Sequence, residues 1–186
     1  LDNTLWGGVI GDDGLSGIQI GDLGVGKAFS EFQKWLKTLK ERGIILCVCS
    51  KNNEKIAKEP FIKHTDMILS LDDIAVFVAN WENKVENIEH IVKVLNIGYD
   101  SIVFIDDNPV ERDMVKTALS EIIVPELPSD PALYKEFLIK ENYFEITNYS
   151  KLDKERTKKY QDEAKRKHLE SSSFNVDDYL KSLKMK

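Results

Sequence analysis

An α/β domain built on a doubly wound parallel sheet is expected from three features of this 186-residue chain. Short apolar runs, IILCVC (44–49), AVFVA (75–79) and SIVFI (101–105), lack the polar alternation of a half-exposed strand and suit strands covered on both faces. Helical patterns of roughly 10–15 residues separate such runs. The runs then break into clusters of polar residues, where a parallel sheet presents the carboxyl ends of its strands.

The elements follow in chain order. LDNTLW (1–6) looks like the end of a buried strand breaking into a polar turn, with the strand itself missing. WGGVIGDDGLSGIQIGDLGVG (6–26) holds eight glycines, interleaved with Val9-Ile10 and Ile18-Gln19-Ile20, and is expected to form a β-hairpin flap and a loop. KAFSEFQKWLKTLKERG (27–43) places Phe29, Phe32, Leu36 and Leu39 at helical spacing and ends on Gly43, a natural helix stop. IILCVC is the next strand, and DMILS (66–70) and AVFVA are two more. NKVENIEHIVKVLNIG (83–98) puts Val85, Ile88, Ile91, Val92 and Leu95 on one helical face and closes at Gly98. SIVFI breaks into DDNPVERD (106–113), whose Pro109 fits a helix start, and EIIVPELP (121–128) gives a last strand closed by prolines. From Leu152 the texture changes. LDKERTKKYQDEAKRKHLE is expected as one long exposed helix, SSS as a break, and VDDYLKSLKMK as a short amphipathic helix. No internal repeat is present.

Bulk properties bound the function. The apolar fraction of 42% supports a sizeable core, and no run approaches the ~20 residues that span a bilayer, so no membrane role is expected. Net charge is −6, with 15 Lys and Arg against 25 Asp and Glu in residues 1–150, and 11 against 7 in residues 151–186. An acidic body argues against nucleic acid as a partner. Cys47 and Cys49 alternate on one strand, which excludes a disulfide framework and favours a reducing, cytoplasmic setting.

Four strand ends carry polar residues suited to chemistry: Asp2-Asn3-Thr4, Ser50-Lys51-Asn52, Asn80 to Lys84, and Asp106-Asp107-Asn108. Carboxylates, a hydroxyl and a lysine converging on one edge would make a Mg²⁺ and phosphate site, because hard oxygens hold Mg²⁺ and the cations offset phosphate charge. Each member also has a plainer reading. Asp106-Asp107 and Ser50 could be helix caps, and Lys84 a solvated lysine. The ordered set is more specific than any member.

LDNTLWGG, CSKN, ANWENK and FIDDNPVERD resemble the motifs of the haloacid dehalogenase superfamily, within it the FkbH-like branch (subfamily IIIC) of glyceryl transferase/phosphatases. The long matches are DNTLWGGVIGDDG and VFIDDNPVER, and the resemblance runs over the whole chain. It implies a HAD-like Rossmannoid fold with a small β-flap at about 6–25, a catalytic domain over 1–150 with a truncated first strand, and a charged helical tail over 151–186 leading to a missing downstream region. The family's first motif reads Asp-x-Asp-x-Thr, so the nucleophilic aspartate would stand just before Leu1, and a chain without it is expected to be inactive.

The resemblance implies these roles. Asp2 would be the general acid/base, with its backbone carbonyl on Mg²⁺. Thr4 would brace the turn and, with Ser50, Asn52 and Lys84, serve phosphate binding. Asp106 and Asp107 would hold Mg²⁺. The implied substrate is a phosphorylated small molecule, 1,3-bisphosphoglycerate in the branch, whose glyceryl unit passes through an enzyme cysteine to an acyl carrier protein. Cys49, beside Ser50, is the candidate cysteine; a small buried apolar residue is its alternative reading. A plain phosphatase of a small metabolite or sugar, and a non-catalytic domain that positions a carrier protein, remain alternatives. The basic stretch 151–168 could steer an acidic carrier or be a solvated helix. His64, His90 and His168 are scattered without metal-ligand spacing and are expected to be structural, while Trp6 and Trp81 could line the substrate mouth or pack in the core.

Overall fold

The computed structural model describes residues 1–145 and 156–172. The elements are α1 (Ile10–Gly17), α2 (Gly24–Glu41), β1 (Leu46–Lys51), α3 (Glu54–Lys63), β2 (Ile74–Asn80), α4 (Lys84–Leu95), α5 (Pro109–Ala118), α6 (Tyr134–Lys140) and α7 (Arg156–Ser172). β1 and β2 pair in parallel from Leu46–Ile74 to Lys51–Asn80. A second parallel contact joins Val103 to Ile123, with Phe104 N–H donating to Ile123 O and Ile123 N–H to Ile102 O.

Helices cover both faces, as continuous apolar strands require. Leu46 and Val48 pack with Phe29, Phe32, Leu36 and Leu39 of α2, whereas Cys47 and Cys49 turn toward Ile91, Val94 and Leu95 of α4. This alternation is the doubly wound arrangement expected from sequence. The apolar spacing of α2 buries Phe29, Phe32, Leu36 and Leu39, and Gly43 takes the left-handed φ of 93° that ends the helix.

Several elements differ from the sequence reading. SIVFI and EIIVP are extended segments joined by one bridge rather than full strands. DMILS is not a strand: Ile68 and Leu69 N–H donate to the fully buried Gln33 Oε1 at 3.1 Å each, so a side chain supplies what a ladder would have. The flap has one antiparallel pair, Gly7 with Gln19, and its tip is α1, helical turns broken at Gly14, rather than a hairpin. α4 ends at Asn96, whose φ of 54° makes it the left-handed cap instead of Gly98. Asparagine tolerates that conformation better than other side-chain-bearing residues.

α7 is packed rather than wholly exposed. Thr157 is buried, Tyr160 and Ala164 join the α4 cluster, and Gln161 Nε2 donates to Ile74 O at 2.7 Å. Spacing of i, i+3, i+4 and i+7 puts these four on one face. The opposite side presents exposed Lys158 and Lys159. Ser171 and Ser172 continue α7, so the helix runs into the SSS stretch where a break was expected; the expected boundary at 150/151 and the VDDYLKSLKMK helix lie outside the described residues.

Between residues 44–49 and 101–105 lies an apolar cavity of about 510 Å³. Leu1, Leu5, Leu36, Cys47, Cys49 and Ile88 contribute to its walls. No described helix is long and apolar enough to cross a membrane.

Candidate active site

The polar residues singled out in the sequence gather at the carboxyl ends of β1, β2 and segment 102–105. Lys84 opens α4 directly after β2, and its Nζ lies 2.5 Å from Asp106 Oδ2. Both residues are more than nine-tenths buried. The solvated-lysine reading of Lys84 therefore fails. The capping readings fail as well. Asn108 caps α5, with its side chain accepting from Val110 N–H, and Asn53 caps α3 by accepting from Lys55 and Ile56 N–H. Asp106, Asp107 and Ser50 are released from capping. Asp106 Oδ1 accepts from Asn108 N–H at 2.9 Å, which fixes the turn and leaves Oδ2 to Lys84.

Thr4 joins the first turn to this acidic pair. Its hydroxyl lies 3.3 Å from Asp2 O and 3.4 Å from Asp107 Oδ1, within reach of both. Burial, then the neighbouring Asp106 charge, holds the Asp107 carboxyl above the usual range. The Asp2 side chain points elsewhere. Its Oδ1 accepts from Trp6 Nε1 and Ile10 N–H at 2.9 and 3.1 Å, and its Oδ2 from Asn52 Nδ2 at 3.3 Å. Of Asp2, it is thus the backbone carbonyl that shares a neighbour with Asp107. Ser50 and Asn52 are buried at the end of β1, and Asn52 N–H donates to Asn80 O. The backbone nitrogen of Leu1 is buried near Asp106, Asp2, Lys84 and Asp107.

Among the described residues no group of three or more Asp, Glu, His or Cys side chains is arranged to hold a metal. Two carboxylates and one carbonyl form a smaller, all-oxygen donor set. Mg²⁺ is commonly held by one or two carboxylates, with water and substrate phosphate completing its shell. The residues present fit that chemistry.

Cys49 does not lie open to the site. Its Sγ is 3.8 Å from Lys84 O, and burial pushes its thiol up to about 11, with Lys84 pulling the other way. Trp6 is fully buried and packs edge-on against Phe61 at 5.9 Å, which removes it from any substrate mouth; Trp81 is 76% exposed on the loop between β2 and Lys84. His64 Nδ1 accepts from Asp66 N–H, a local structural contact.

Two residues of the site, Glu111 and Arg112, were given no role in the sequence reading, and Lys51 was named only within its strand-end cluster. Lys51 Nζ donates to Glu111 Oε1 at 2.6 Å, and Glu111 Oε2 is buried without a hydrogen-bond partner. Arg112 Nη1 donates to both Asp106 O and Asp107 O. The available signal was position: the first turn of a helix that begins right after a polar turn folds back over that turn. An open cleft of about 570 Å³ runs beside the site, between Gly7, Gly8 and Gln19 of the flap, Asp107 and Arg112, and Tyr134.

Residues 18–118 match the haloacid dehalogenase-like hydrolase family. The chain belongs to that family. Among solved structures, it is similar to the N-terminal part of the protein BF1531 from Bacteroides fragilis, described as containing a phosphatase domain complexed with Mg. The identity is 61% and the TM-score 0.79, over 80% of this chain and 40% of that one. The chain thus spans well under half the length of that relative. No curated protein matches it. The fold of this hydrolase is the HAD-like α/β domain expected from its motifs.

Proposed function

We propose that this hydrolase is a Mg²⁺-dependent phosphatase of the FkbH-like type, which releases phosphate from 1,3-bisphosphoglycerate and passes the glyceryl unit to an acyl carrier protein. The observation that carries the phosphatase reading is the buried Lys84–Asp106 pair beside Asp107, at strand ends and free of capping duty. Asp106, Asp107 and the Asp2 carbonyl would hold Mg²⁺, as the Mg-bound relative from Bacteroides fragilis supports. When bound, the ion supplies charge neutralisation for the phosphoryl oxygens.

The chain's own residues do the rest. Lys84 balances the phosphoryl charge, and Ser50 and Asn52 present short polar groups to its oxygens. Asp2 exchanges the proton with the leaving oxygen at Oδ2, the oxygen held by Asn52. The nucleophile required is the aspartate expected before Leu1: its carboxylate attacks phosphorus, and water then cleaves the acyl phosphate. The burial of the Leu1 backbone nitrogen near the site's charged groups supports that place.

Exposed Lys158 and Lys159 on the outer side of α7 support docking of an acidic carrier protein. The two thiols are free, in keeping with a reducing, cytoplasmic setting. A second reading, a plain phosphatase for a small phosphorylated metabolite, is favoured by the half-buried Cys49, whose thiol is pushed up to about 11 and so offers little thiolate. Incubating the full-length protein with Mg²⁺, labelled 1,3-bisphosphoglycerate and carrier protein separates the two. Label on the carrier supports the transferase. Free phosphate alone supports the second reading, and neither product defeats both.

A further inference from the structure

We propose that Arg112 is a positioning residue that sets the Mg²⁺ affinity of the site by clamping the backbone of Asp106 and Asp107. This rests on the metal reading above and extends it to a residue outside the donor set. Arg112 is 7% exposed, in the first turn of α5. Its Nη1 donates to Asp106 O at 2.9 Å and to Asp107 O at 2.8 Å. The other edge of the guanidinium is tied down: Nε and Nη2 donate to Glu126 Oε2 at 3.3 and 3.2 Å, and Lys116 Nζ stands 3.7 Å from Glu126 Oε1.

The consequence is geometric. With both carbonyls occupied by one rigid planar group, the peptide planes of Asp106 and Asp107 have fixed directions. The two carboxylates then leave the chain at fixed angles, Asp106 toward Lys84 and Asp107 toward Thr4. The clamped carbonyls are also withdrawn from competition as cation ligands, so the carboxylates bind in one arrangement. Lysine could keep the charge but could not span two carbonyls and Glu126 at once.

The test is Mg²⁺ binding by titration calorimetry on the full-length protein, with folding checked by circular dichroism. Outer partners of metal ligands typically contribute about 10–100-fold in metal affinity. Arg112→Lys is expected to weaken Mg²⁺ binding by about tenfold or more, and Glu126→Gln, which keeps the guanidinium but loosens its outer tether, by a few-fold. In Arg112→Ala, added methylguanidinium is expected to restore part of the affinity, which a merely structural role would not allow. Folded Arg112→Lys that binds Mg²⁺ as tightly as wild type overturns the clamp and leaves the metal site standing. Wild-type protein that binds no Mg²⁺ overturns both.

Discussion

The two flanks of β1 differ sharply. On one side β1 is paired with β2 along its whole length, and β2 is braced by Gln161 of α7. On the other side, among the described residues, segment 102–105 pairs with Ile123 and not with β1. Ser50, Asn52 and Lys84 belong to the closed flank, Asp106, Asp107 and Arg112 to the open one. At the carboxyl rim the flanks are joined by polar contacts, Lys84 with Asp106 and Lys51 with Glu111. The groups proposed for chemistry are therefore also the stitching between two halves. Charge pairs proposed to cradle phosphate are here also contacts that join two parts of the fold.

Breaking that stitch should have the largest effect. Lys84→Ala removes the partner of a buried carboxylate, which costs about 3–5 kcal/mol. Urea denaturation should show the loss, and phosphate release in the full-length protein should fall about 10²-fold or more. Unchanged stability would mean that the flanks are held together by something other than the rim. Gln33→Ala acts in the core, away from the rim. It leaves Leu5 O and the Ile68 and Leu69 N–H groups without their buried partner, so stability should drop by about 3 kcal/mol with little change in Mg²⁺ affinity. A matching loss of metal binding would show that core and rim are not separable.

A smaller effect is expected from the thiols that line the cavity. Burial raises Cys47 to about 12 and Cys49 to about 11, from an ordinary value of 9.0. Above pH 9 the unfolded chain loses these protons while the folded one keeps them. Stability should therefore fall as pH rises from about 9 toward 11, by about 1 kcal/mol per unit for each thiol, and level off once the folded thiols ionise. Cys47→Ala should flatten the slope of the urea midpoint against pH, and an unaltered slope would show that Cys47 is accessible to water. The smallest change is expected from Gln161→Ala. Loss of the 2.7 Å bond to Ile74 O should lower stability by about 0.5–1 kcal/mol, readable as a modest shift in thermal midpoint.

Much of this was legible in the chain because periodicity and punctuation are local. The spacing of Phe29, Phe32, Leu36 and Leu39 defined α2, and the unbroken apolar runs marked β1 and β2 as strands covered on both faces. Pro109 placed the start of α5, and the four strand-end clusters pointed to the candidate site, since in a parallel sheet successive carboxyl ends share one rim. Tertiary structure decided what depends on distant partners. Whether DMILS became a strand turned on Gln33, some 35 residues away, and whether the α7 helix was solvated turned on β2 offering Ile74 O to Gln161. The direction of the Asp2 carboxylate, the burial of Cys49 and the grip of Arg112 on two carbonyls are likewise set by neighbours from other elements. A residue's periodic position is written in its own segment, but the field and hydrogen-bond partners around it exist only once the chain has closed on itself.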